Sequence, residues 1–162
     1  MSDGEAKDVE QEEREEDPKE RLEREHNELL QELRSLIPGA QVLFGFLLAI
    51  SFTQQFADLG DRERYVYYGT LLATAVALVL YMAPAAHHRL RFREGDKDYM
   101  LRKANREAIA GTVASSFALT GVLYLISQRM FETAEAIVAS VAFFVFLAWR
   151  WWAYAVYRNL RD

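Results

Sequence analysis

Charged residues disappear from this chain in four stretches, and the polar breaks between them alternate short, long, short. Residues 39–56, 65–86 and 108–128 carry no charge, and residues 136–154 carry only Arg150. A hydrocarbon core of about 30 Å takes roughly 20 apolar residues in a helix, so each stretch predicts one membrane span. The connections 57–64 and 129–135 are too short for anything but hairpin turns. Residues 87–107 form a longer loop between the hairpins.

A different pattern precedes the first span. Over residues 20–37, Leu22, His26, Leu29, Leu33 and Leu36 recur at spacings of four and three, with Leu30 and Ile37 widening the stripe. That periodicity predicts an amphipathic helix. Pro18 suits its start, and Glu20–Arg24, Arg21–Glu25 and Arg24–Glu28 have the spacing of stabilising pairs. Pro38-Gly39 predicts a break where this helix meets the membrane. The stripe has three uses: lying on a membrane, docking on another protein or a second copy, or docking on its own basic loop. Residues 1–19 hold almost no aliphatic side chain larger than Ala and cannot offset their chain entropy, so they predict a disordered tail. Residues 158–162 form a short polar end.

Charge fixes the orientation. Residues 1–34 hold fourteen acids against six bases, whereas the rest of the chain is basic. The long loop carries Arg89, Arg91, Arg93, Lys97, Arg102, Lys103 and Arg106, and the outer turns carry only Arg62, Arg64 and Arg129. By the positive-inside bias the loop and both termini are expected in the cytoplasm. Tyr65, Tyr67, Tyr68 and Tyr81 read as headgroup-level depth markers. Arg150, flanked by Trp149, Trp151 and Trp152, reads as an anchor that extends its stem to the inner headgroups. Arg89, Arg91, Arg93, Arg102, Lys103, Arg106 and Arg150 are candidate lipid-headgroup contacts. An acidic balance concentrated at one end argues against nucleic acid. The early residues are acidic, unlike a signal peptide, so the first span is expected to be an uncleaved anchor.

Chemistry inside the spans is sparse. No ionisable residue lies near the middle of any span, although ion-coupled transport generally needs one. The hydroxyls of Thr70, Thr74, Thr112, Ser115, Ser116, Thr120 and Ser140 can each be satisfied on their own helix. Cysteine is absent, and adjacent His87 and His88 point in different directions, so no metal or cofactor is expected. No phosphate loop, HExxH or nucleophile elbow occurs, and no catalytic residue is expected. Small residues recur at four-residue spacing, with Gly45, Ala49, Gly69, Ala73, Ala77, Gly111 and Ser115 as candidate helix-packing positions.

The segments Glu23–Arg34, Ile37–Leu48 and Ala83–Leu90 resemble a family of uncharacterised bacterial integral membrane proteins, a domain of unknown function, over about residues 20–155. The resemblance implies a four-span bacterial inner-membrane protein and carries no activity or cofactor.

The expectation is an all-α integral membrane four-helix bundle with an N-terminal cytoplasmic amphipathic helix. Its expected function is that of a non-enzymatic accessory or scaffold, contacting lipids and a protein partner or itself. The alternative is a small oligomeric channel or transporter lined by Gln41, Gln54, Gln55, Thr112, Ser115 and Ser116.

Overall fold

The structure, a computed structural model, describes residues 18–90 and 97–153. Among the described residues five α-helices follow one another: α1 (Pro18–Ser51), α2 (Gln54–Ala57), α3 (Asp61–Leu90), α4 (Lys97–Met130) and α5 (Thr133–Ala148), the last running into one π-helical turn, Trp149–Ala153. Four segments are long and apolar enough to cross a membrane: Asn27–Ser51, Asp61–Ala86, Leu101–Met130 and Thr133–Trp151. The chain is a multi-pass membrane protein built as a four-helix bundle. Each segment starts ahead of its uncharged stretch, because charged residues at that end continue the same helix.

One predicted boundary is absent. α1 runs without interruption through Pro38, which lacks the N–H for one ladder bond. The reason is packing on both sides of that residue. Leu29, Leu33, Ile37 and Ala40 all pack into one cluster with Ala77 and Tyr81, so the two halves are held on the same neighbours. Neighbouring helices commonly carry prolines through membrane helices in this way. Pro84 likewise lies inside α3, which continues to Leu90.

The first span ends earlier than its run of uncharged residues. Ser51 Oγ donates to the Leu48 carbonyl (2.6 Å) and Thr53 Oγ1 to the Ile50 carbonyl (2.7 Å), while the Phe52 and Thr53 N–H groups turn back to Ala49 and Ile50. These local bonds occupy carbonyls that a continuing helix would need. α3 then starts on Gly60, whose N–H donates to Glu63 Oε2 (3.0 Å), one half of a capping box. Arg64 covers the end of α2 by donating to the Ala57 carbonyl (2.9 Å).

α3 and α4 form the most extensive pair, antiparallel, with α1 lying on α3 and touching α4, and α5 packed on α4. α3 and α5 do not pack extensively, which leaves a groove between them. At the turn end of the bundle Arg129 Nη2 lies 3.8 Å from Glu63 Oε2, joining the end of α4 to the start of α3. This cross-hairpin contact follows from the antiparallel pairing of α3 and α4, which sets the end of one beside the start of the other.

Candidate functional site

The α3–α4 seam is the most tightly specified part of the molecule. Thr70, Thr74, Ala77 and Tyr81 are all buried and recur at helical spacing on α3. They face small residues of α4. A Cβ added to Gly111 would fall 2.6 Å from Tyr81 Cε1 and 2.8 Å from Cδ1, and one added to Gly121 would meet Thr70 Oγ1 closer than van der Waals contact allows. This register sets Thr74 level with Ala118 and Ala77 level with Ala114. The helices therefore touch through glycine and alanine, the geometry that membrane helices use where lipid supplies no hydrophobic drive.

The predicted packing positions separate on this geometry. Ala77, Gly111 and Ser115 lie in the seam. Gly45 and Gly69 are exposed, with no atom within 4 Å of an added Cβ, and Ala49 is exposed too. Ala73 is half-buried on the wall of the α3–α5 groove. Gly121 was missed, because nothing in its local sequence tells which α3 residue it meets.

Hydroxyls inside the bundle are spent locally. Thr70, Thr74, Thr112, Ser116, Thr120 and Ser140 each donate to the carbonyl four residues back, at 2.7–3.0 Å. Ser115 instead pairs with Tyr81, whose hydroxyl lies 3.0 Å from Ser115 Oγ and 3.5 Å from Thr112 Oγ1. Tyr81 is therefore no depth marker. Its ring fills the space above Gly111, only 3% exposed, and its hydroxyl finds α4 in place of headgroups. Tyr67 departs from that role as well: buried, it donates to the Leu47 carbonyl of α1 and packs edge-on against Phe56 (centroids 5.0 Å apart). Tyr65 and Tyr68 are exposed.

The amphipathic stripe divides. Leu33 is buried against Ala77 and Tyr81, and Leu29 packs beside it, so this part of the stripe docks on the protein's own helices. Leu36 is exposed and lines a 260 Å³ pocket together with Glu32, Asn105, Thr112 and Trp151. The side chains of Leu22 and His26 lie outside the described ones. Of the candidate headgroup contacts, Arg102, Arg106 and Arg150 are exposed and Lys103 is half-buried, 4.0 Å from Glu107. The side chain of Arg89 and residues Arg91 and Arg93 fall outside the described part. Gln41, Gln54 and Gln55 are exposed on α1 and α2, whereas Thr112, Ser115 and Ser116 lie along α4. The structure does not gather these six into one lining. Among the described residues no cluster of acids and histidines has the geometry of a metal site.

Residues 15–155 match a family of unknown function, DUF6328. The chain belongs to this family. Neither a curated protein nor a solved structure matches it. Membership therefore brings no activity to the DUF6328 chain, and any function has to be argued from the arrangement just described.

Proposed function

We propose that this DUF6328 protein is a non-enzymatic accessory or scaffold protein of the bacterial cytoplasmic membrane, with both termini in the cytoplasm. It engages a protein partner, or a second copy, through the polar start of α1 and the basic loop. The observation that carries this reading is the continuity of α1. Its residues Pro18–His26 precede the membrane-crossing part Asn27–Ser51 in one unbroken helix, projecting about 14 Å further. A helix fixed to a span presents its outer face in a set direction, which lowers the ordering cost of binding. The Lys/Arg excess of residues 87–107 supports the cytoplasmic orientation of that end. The self-satisfied hydroxyls of the interior offer little to a permeating ion.

The test is affinity purification from native membranes in mild detergent, comparing the full chain with one lacking residues 1–26. This cut spares Leu29 and Leu33, which the core needs. A stoichiometric partner that disappears with the deletion supports the proposal. Recovery of the same species from both chains, with ion or solute flux in proteoliposomes, would replace it by the channel reading.

A further inference from the structure

The groove between α3, α4 and α5 has a volume of 910 Å³ and walls of almost entirely apolar side chains. It extends from Val66 to Leu80 along α3 and from Ala110 to Tyr124 along α4, about 21 Å in each case. One leaflet of a hydrocarbon core is about 15 Å deep, so an acyl chain fits along it. Three of the four hydroxyls on its wall, those of Thr70, Thr120 and Ser140, already donate to their own helices at 2.7–2.8 Å, and the fourth, Tyr124, belongs to the end of the groove away from Ala110. Little along the wall between its ends therefore demands a polar partner.

Charge distinguishes the two ends. The stripe of α4 that lines the groove, Ala110, Val113, Phe117, continues one turn earlier to Arg106, which is exposed. Arg102 and Lys103 lie one further turn away. At the opposite end Arg62, Arg64 and Arg129 are outnumbered by Asp58, Asp61, Glu63, Glu132 and Glu135; Arg129 faces Glu63 and Arg64 donates to the Ala57 carbonyl. A groove with a cationic mouth fits a molecule with an apolar chain and an anionic head. A second copy fits less well, because a two-fold dimer through this face would set the basic clusters of both copies against each other.

We propose that the α3–α4–α5 groove holds one acyl chain of an anionic glycerophospholipid, with its phosphate at Arg106. The site is independent of the partner contact at α1. The experiment is native mass spectrometry of the delipidated full chain, titrated with phosphatidylglycerol or with phosphatidylcholine of the same acyl chains. One phosphatidylglycerol is expected to bind in preference to phosphatidylcholine. Arg106→Gln should weaken that binding about fivefold, the effect of one basic side chain at an anionic surface, and weaken phosphatidylcholine less, because its choline ammonium already offsets the phosphate. Gly69→Leu should abolish it, since Gly69 lines the groove and an added Cβ there meets no protein atom within 4 Å. Equal binding of the two lipids overturns the proposal, as does phosphatidylglycerol binding that survives both substitutions. A dimer of the wild-type chain that Gly69→Leu converts to monomer would also overturn it, by making the groove an interface between copies. Should Gly69→Leu fail to fold, the comparison of lipids and the exposed Arg106→Gln variant decide alone.

Discussion

Replacing Gly111 by alanine tests the α3–α4 seam most sharply. The new Cβ would sit 2.6 and 2.8 Å from two carbons of the Tyr81 ring and 3.3 Å from a third, so either the ring moves or the helices part. The ring has little freedom: it is 3% exposed, and its hydroxyl is held 3.0 Å from Ser115 Oγ. Overpacking of this kind costs roughly 1–3 kcal/mol. Losing the interhelical hydrogen bond adds about 0.6 kcal/mol, a typical value within a membrane. The better helix propensity of alanine returns up to about 1 kcal/mol. The net expectation is a loss of roughly 1–3 kcal/mol for Gly111→Ala. Gly69→Ala and Gly45→Ala, where an added Cβ meets nothing within 4 Å, should be neutral or slightly stabilising. Reversible unfolding in mixed micelles measures all three, and Tyr81→Ala in the Gly111→Ala background should recover much of the loss as a coupling energy. If Gly111→Ala proves as stable as Gly69→Ala, the helices do not meet at this register.

Other substitutions address other contacts. Leu33→Ala should destabilise by about 2–5 kcal/mol through a core cavity, whereas Leu36→Ala should change stability by less than about 1 kcal/mol, both read from the same unfolding curves. Tyr67→Phe should cost about 1 kcal/mol by orphaning the Leu47 contact, and exposed Tyr68→Phe should cost nothing measurable. Pro38→Ala should leave helix content by circular dichroism unchanged or raised and should raise the thermal midpoint, because it restores a ladder bond without altering a break.

The spans were legible in the sequence because charge is expensive in a bilayer, and its absence marks each crossing in the residues themselves. The back-bonded hydroxyls were legible for a similar reason, since each bond is local to its helix. What escaped depends on neighbours far along the chain. Pro38 suggests a break until Leu33 and Ile37 on one side and Ala40 on the other are seen to share the Ala77–Tyr81 cluster. Tyr67 and Tyr81 have the polar tip of an interfacial anchor, and only the helix opposite determines that their hydroxyls are satisfied inside. Gly45, Gly69, Gly111 and Gly121 look alike in sequence. The antiparallel register alone selects Gly111 and Gly121 for close approach. Periodicity marks the candidate partner stripe but has no way to tell a face that docks on its own bundle, as Leu29 and Leu33 do, from one kept for another molecule.

The continuity of α1 underlies the proposed presentation of its polar start, and a distance across Pro38 measures it directly. The chain has no cysteine, so spin labels at cysteines introduced for Arg24 and Ile50, both exposed, report without background. Pulsed electron resonance in nanodiscs should give a narrow distribution centred about 39 Å between backbones, the length of an unbroken helix over that interval. A right-angled break at Pro38 would give about 28 Å, and that result, or a broad distribution reaching it, would contradict the account.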